Sequence, residues 1–499
     1  MKLVKRIVLL TLFFTTYSAI AQTNNVFLDR SFWKSNPNLE TVKNKISEGN
    51  DPAALNSNAF DGVVYALLEN VDDNVIKYLL ALEGNPADKK THDSRIYLHW
   101  AAYAGKIGIV DHLLKTGSSV TELDSHGYTP LAFAANAGQK KPELYSAFDK
   151  YGVDLTREKN EHGANLLLLV APSLENQDEL DYFIDQGLAL DSKDDEGNGI
   201  FNYAAKKGNV DFLKLLIEKG VDYKSLNKDG ANAFLFAAQG GRGYSNPLSV
   251  YGYLKGLGLN PNMVTHEGYT PLHRLAYNNS DPAIFDLFLS AGADVNQKNV
   301  DGNTPFLNAA SRNQLDMVKL LSEDVNNFNT TNNKGQTALM LAVENNGPEV
   351  VRYLLEKDAD PLMTDKAGNS LAYYWAASFD SRKIDTFDKK RKLLNQKGLK
   401  FNKVQAEGNT LYHLAAKNND LALAKHMESL DIDINAVNSE GLTALHLAAM
   451  KADDDKLMKY LISKGADVKI KTSFEESVYD LANENELLQK QNTQLNFLR

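Results

Sequence analysis

Along most of this chain, apolar residues recur at helical spacing in short bursts, and glycine, asparagine or aspartate closes each burst. "VDFLKLLIEK" (210–219) and "LDMVKLL" (315–321) place their apolar residues three and four apart, the pattern of a helix with one buried face. Ahead of each lies a shorter apolar run, such as "TPLHRLAY" (270–277), that predicts another helix. In it threonine is the cap, proline takes the first turn, and leucine and alanine face the core. A glycine just before the threonine predicts a hairpin tip. "GADVN" (292–296) or "GVD" (220–222) ends the second helix, with glycine as its left-handed cap.

The pattern repeats. "HEGYTPLHRLAY" (266–277) returns as "SHGYTPLAFAA" (125–135), "VDGNTPFLNAA" (300–310), "NKGQTALMLAV" (333–343), "AEGNTLYHLAA" (406–416) and "SEGLTALHLAA" (439–449). Weaker copies lead from Gly62, Gly163, Gly197, Gly230 and Gly368, and two more have Ser94 and Glu475 in place of the glycine. The spacing is 33 from Gly302 to Gly335, to Gly368, and from Gly408 to Gly441; it stretches to 36 after Gly127, 38 after Gly230 and 40 after Gly368. One such unit cannot bury its apolar faces alone, so neighbours must stack.

In "GYTPLH" (268–273), "GLTALHLAA" (441–449) and "GADVN" (292–296) the chain resembles the ankyrin-repeat family. The resemblance implies an all-α solenoid of about thirteen repeats, each a helix-turn-helix with a hairpin-like loop. It divides the chain into a capping half-repeat (22–60), the array (61–482) and a capping helix or tail (483–499). It is specific for fold and nearly silent on function.

The same resemblance makes Thr270, Pro271, Leu272 and His273 scaffold. His99, His413 and His446 occupy the slot of His273, three residues after the cap, where a side chain reaches back as a capping-box residue does. His126, His162 and His266 sit on solvent-facing tips. Successive tips are a repeat apart, so no shared metal site is expected. "DIDIN" (431–435) alternates oxygen ligands like a calcium loop, but Ala436 and Leu442 stand where such a loop needs glycine and glutamate. No G-x-S-x-G elbow, phosphate-binding loop or H-E-x-x-H helix occurs, and "GGRGY" (240–244) follows a helix, not a strand. No catalytic residue, metal or cofactor is assigned. An enzyme would need a non-repeat domain, and only 22–60 and 483–499 lie outside the array. The charge runs "KADDDKLMKY" (451–460) and "FDSRKIDTFDKKRKLL" (379–394) read as solvated turns and helix faces.

The N-terminus adds a compartment. "MKLVKR" carries three positive charges, "IVLLTLFF" is a short apolar run, and Ala19-Ile20-Ala21 has the form of a cleavage site: a signal peptide (1–21) cut before Gln22. The chain has no cysteine, which leaves neither a lipid-anchor site nor disulfides. Net charge is −10, and losing Lys2, Lys5 and Arg6 takes it to −13. That argues against nucleic acid and against anionic membranes. The expected product is an exported protein, periplasmic or secreted, not inserted in a membrane, and a monomer.

Ankyrin arrays generally bind proteins on the concave face of tips and first helices. By position, the exposed slots include Tyr103, His126 and Tyr128 in one neighbourhood and His266, Tyr269 and Tyr277 in another. Tyrosine offers rigid amphipathic contact area, enriched at interface hot spots; ordinary exposed tyrosines are the competing reading. Elsewhere these slots hold Asn303, Gln336, Asn369, Asn409, Glu344 and Lys417, a polar face. The long units place their extra residues after the first helix, in "GQKKPE" (138–143), "GGRGYSNPLS" (240–249) and "FDSRKIDTFDKK" (379–390), where loops are expected. The function that follows is a non-enzymatic scaffold or adaptor holding one or more proteins. The alternative is a secreted effector or toxin-associated factor acting on another cell's proteins.

Overall fold

Each repeat begins where a short polar side chain ends the extended backbone of a hairpin tip. Thr129, Thr304 and Thr337 accept the backbone N–H three residues on, Asp61 and Asn165 cap their helices in the same manner, and Asn232 accepts the N–H two residues on. Pro130, Pro271 and Pro305 follow their threonines, where a missing N–H matters least. The computed structural model describes residues 25–241 and 243–499, so the expected signal peptide and its cleavage point lie outside the described residues. Among these, no β-strand forms; after two helices at Arg30–Lys34 and Leu39–Ser47, the α-helices fall into thirteen successive pairs, from Gly62–Leu68 with Asp73–Leu80 to Val478–Glu484 with Glu486–Lys490. The chain is an all-α repeat array.

First helices pack most extensively against the first helices of adjacent repeats, as Pro271–Asn278 does on Pro305–Arg312 and the latter on Ala338–Asn345. The paired alanines make this possible: Ala134, Ala135, Ala309, Ala310, Ala448 and Ala449 are all fully buried and keep the helices close. Second helices show one buried face, as Val210–Glu218 does with Phe212, Leu213 and Leu216. The chain forms two compact units, Met1–Asp195 and Glu196–Arg499. Inside each, most successive tips are joined by one backbone hydrogen bond, such as Ser125 N–H to Asp93 O (2.9 Å) and His266 N–H to Asp229 O (2.8 Å).

Three expectations need correction. Gly62 is not a tip glycine but the first residue of its helix. The tip lies at 56–60, closed by hydrogen bonds from Asn56 N–H to Phe60 O and Ala59 N–H to Asn56 O, with Ala59 at φ 57°. Gly62 is small because a Cβ there would meet Pro52 O at 3.0 Å and the Trp33 ring at 3.2 Å. Phe27 and Trp33 stack at 5.5 Å against that helix, closing the N-terminal end of the core. Second, most of the "FDSRKIDTFDKK" insertion is not loop. Residues Ile384–Gln396 form one helix of 13 residues, because Phe387, Lys390 and Leu394 recur at helical spacing and Phe387 stacks on Trp375 at 4.1 Å. Third, Lys390 is not on a solvated face. It is 4% exposed and donates to Val343 O at 2.7 Å. Asn313 and Asn346 serve Ala276 O and Ala310 O in the same way in earlier repeats. Burial pulls the Lys390 ammonium down to a pKa of about 8.

Candidate partner-binding face

The tips and the starts of the first helices place two kinds of side chain side by side: those that hold the repeat and those left to solvent. His273 belongs to the first kind. Thr270 Oγ1 accepts the His273 N–H at 3.3 Å, and His273 Nδ1 accepts the Thr270 N–H at 3.1 Å, a reciprocal capping box. Because that N–H can only donate, Nδ1 carries the lone pair and Nε2 the proton. Nε2 then donates to Asn303 O of the next repeat at 3.1 Å. His413 and His446 make the same contacts, with Leu442 O and Ile470 O as the distant acceptors at 3.0 Å. Burial pushes the His273 pKa down to about 4 and lowers those of His413 and His446.

His99 departs from this pattern. Its helix is preceded by Ile96, which has no hydroxyl, and His99 Nδ1 is buried with no hydrogen-bond partner. Only the link to the next repeat survives, Nε2 to Tyr128 O at 3.0 Å.

The tips reuse another device, a short side chain three residues before the glycine that accepts two N–H groups of the turn. Asp124 serves His126 and Tyr128, Asn299 serves Asp301 and Asn303, and Asn438 serves Glu440 and Leu442. Between tips the amides interlock: Asn332 Nδ2 donates to Asn303 Oδ1 and to Gln336 Oε1, Asn438 Nδ2 to Asn409 Oδ1, and Asn369 Oδ1 accepts from Ala406 N–H. Asn303, Gln336, Asn369 and Asn409 are therefore tied into the scaffold and are not a freely displayed polar face. Glu344 is half-buried and Lys417 exposed. A recurring Asn or Asp three before the glycine was the legible signal for this ladder.

Tyr103 and Tyr277 remain on the surface at 39% and 42% exposure, and His126, His162 and His266 are exposed. Tyr128 and Tyr269 are half-buried and brace neighbouring tips: Asn160 Nδ2 donates to Tyr128 Oη at 3.4 Å, and Tyr269 Oη donates to Asp301 Oδ2 at 3.1 Å. In the first unit a chain of contacts joins Tyr103 to His126. Tyr103 stacks on Phe133 at 5.2 Å, and the Arg95 guanidinium lies 4.1 Å over Phe133 and 5.2 Å over Trp100. Arg95 also binds Asp93, whose carboxylate lies 3.4 Å from His126 Nε2 and 3.4 Å from His92 Nε2. Phe60 stacks on His92 at 4.4 Å and continues the aromatic surface. Phe60, His92, Arg95 and Phe133 were missed as site residues: the first three fall in degenerate copies of the repeat, and Phe133 lies inside the first helix of a clear one. In the second unit Tyr277 carries the Arg312 guanidinium 5.3 Å over its ring, while no contact joins His266 to Tyr277.

Among the described residues, no group of three or more His, Asp or Glu is placed to hold a metal. "DIDIN" is a turn in which Asp433 accepts the Asn435 N–H and Asn435 Nδ2 donates to Gly465 O, as Asp294 and Asn296 do in their repeat. No described helix is long and apolar enough to cross a membrane.

The family description "Ankyrin repeats (3 copies)" matches residues 63–147, 244–326, 272–365 and 374–472, and "Ankyrin repeats (many copies)" matches 168–217 and 203–245. Alpha-latroinsectotoxin-Lt1a of Latrodectus tredecimguttatus is 33% identical over 105 residues, 21% of this chain and 7% of the toxin. Phosphocholine transferase AnkX of Legionella pneumophila is 30% identical over 176 residues, 30% of this chain and 18% of the transferase. An ankyrin repeat-containing protein of Schizosaccharomyces pombe is 28% identical over 148 residues, 28% of this chain and 67% of that protein. The chain thus spans only 7% and 18% of the toxin and the transferase.

Proposed function

The chain belongs to the ankyrin-repeat family, and we propose that it is a non-enzymatic scaffold that holds one or more proteins on the face of its tips and first helices, outside the cytoplasm. One observation carries the reading. The groups that hold each repeat together are buried and, His99 Nδ1 apart, hydrogen-bonded, whereas Tyr103 and His126 in the first unit and His266 and Tyr277 in the second stay exposed beside half-buried rings. Exposed aromatic side chains with few rotamers to lose suit protein contacts. Export is supported by the charged, apolar and small-residue order of the first 21 residues.

The test is a crosslinking capture from the extracytoplasmic fraction, where the mature chain should begin at Gln22. Tyr103→Ala and Tyr277→Ala should keep the melting profile and weaken capture of the native partner about tenfold or more each, the usual loss at an aromatic hot spot. Wild-type capture by both variants would overturn the assignment of this face. Similarity to a toxin and to a bacterial transferase favours a second reading, an effector or toxin-associated factor. A captured partner drawn from another organism's cells, not from the producing cell, would select it.

A further inference from the structure

At the fourth position of its first helices the second unit is mostly apolar, with Phe236, Leu341, Leu414 and Leu447 half-buried there and an amide at Asn308. Arg274 is the exception. Its Nε is buried with no hydrogen-bond partner, and no carboxylate of the described residues forms an ion pair with it. Burial lowers its pKa, and the nearby Tyr269 raises it. Tyr277 lies three residues further along the same helix face, and Arg312 reaches over its ring from the next repeat, itself exposed and, among the described residues, without an ion pair. In a chain of net charge −10, Arg312 lies over this exposed tyrosine and Arg274 stands one turn before it on the same helix.

We propose that Arg274 and Arg312 form the anion-recognising centre of this face and take an acidic segment of a partner protein, one that presents one or two carboxylate side chains beside an apolar or aromatic residue. The inference rests on the reading of this face as the protein-binding surface and names the chemistry of the partner. A half-desolvated guanidinium with an unused donor is unfavourable by itself, and a carboxylate that accepts from its planar fork removes that penalty with directional, charge-assisted bonds. Tyr277 supplies the apolar wall for the neighbouring side chain of the guest. The exposed carboxylates Glu267 and Asp301 on the bordering tips repel a long acidic run, so the guest carries isolated acids.

Two displayed random-peptide libraries test this on the intact mature chain, one with all residue types and one lacking Asp and Glu. The first should yield binders with an acid at a fixed position, and the second none. Arg274→Gln and Arg312→Gln should each weaken these binders about tenfold or more, Arg274→Lys should weaken them less, and all three should keep the wild-type circular dichroism and melting profile. Arg274→Glu should recover binding to a peptide whose acid is changed to Lys. Equal enrichment from the acid-free library, no enrichment from either, or acidic binders indifferent to Arg274→Gln and Arg312→Gln would overturn the proposal. If the arginine variants bind normally while Tyr277→Ala does not, the partner chemistry is wrong and the face stands. If none of these variants weakens any binder, the face is wrong as well.

Discussion

His273 has one nitrogen for each of two repeats: Nδ1 closes the cap of its own helix and Nε2 reaches Asn303 O of the next. Protonating Nδ1 would set two donors against each other, and burial already holds the ring neutral, with a pKa of about 4 against the usual 6.5. His99 is held down to about 4 as well, again by burial first. The unfolded chain binds these protons near pH 6.5 and the folded chain only near 4, so acidification across that window favours unfolding. The contribution of these groups is complete above pH 6.5 and lost towards pH 4. Melting temperature should therefore fall between pH 7.5 and 5, and a flat profile over that range would contradict the neutral-imidazole assignment. His273→Ala removes the cap acceptor and the inter-repeat donor together. It should destabilise by roughly 1–3 kcal/mol in thermal or denaturant unfolding. Unchanged stability would show that the two contacts contribute nothing. The slot of these histidines was readable from the repeat, and so was the missing cap at His99, since Ile96 stands where threonine is usual.

At the scale of the element, the tip and the cap are local chemistry, and most of that was legible. Threonine, proline and glycine at fixed offsets dictate where each first helix starts. Positive-φ glycines, at a tip or after a second helix, differ in how closely neighbouring backbone approaches. At Gly268 (φ 79°) a Cβ would lie 2.5 Å from Lys298 O and 2.9 Å from Asn299 Cα, whereas at Gly465 (φ 101°) it meets nothing within 4 Å. Gly268→Ala should cost more than Gly465→Ala, on the order of 2 kcal/mol or more against about 1, because only the former adds a clash to the backbone strain. Equal losses in urea unfolding would mean that adjacent tips yield easily. The helix Ile384–Gln396 shows the limit of local reading. Its charge run concealed three buried positions, and only Trp375 and Val343 of neighbouring elements explain why Phe387 and Lys390 are drawn inward.

For the whole molecule, stability passes from neighbour to neighbour, and each end needs closure. At the C-terminal end Asn485 Nδ2 donates to Ala449 O and Ala452 O, and Val478, Leu481 and Leu488 cover the repeat before them. Removing 478–499 should leave these carbonyls unsatisfied and that apolar surface bare. The shortened chain should melt earlier and aggregate on heating, as light scattering during the melt would show; an unaltered melt would mean that the last pair adds nothing. The N-terminal end is closed by Phe27 and Trp33, a contact that no repeat pattern announces because those residues lie outside it.

The sequence by itself determined the repeat, its all-α character and the capping role of the "TPLH" histidine. Each follows from interactions within a few residues, and these recur often enough to average out the degenerate copies. Tertiary structure decided which polar side chains are spent. Asn303 and Gln336 look available in the sequence, but both accept from Asn332, across tips and within one tip respectively, while Arg274 looks like an ordinary surface charge but sits half-buried with its Nε unpartnered. Satisfaction of a donor depends on partners some thirty residues away, brought close only by stacking. That is why the scaffold was readable from one repeat, and the surface that could hold a partner was not.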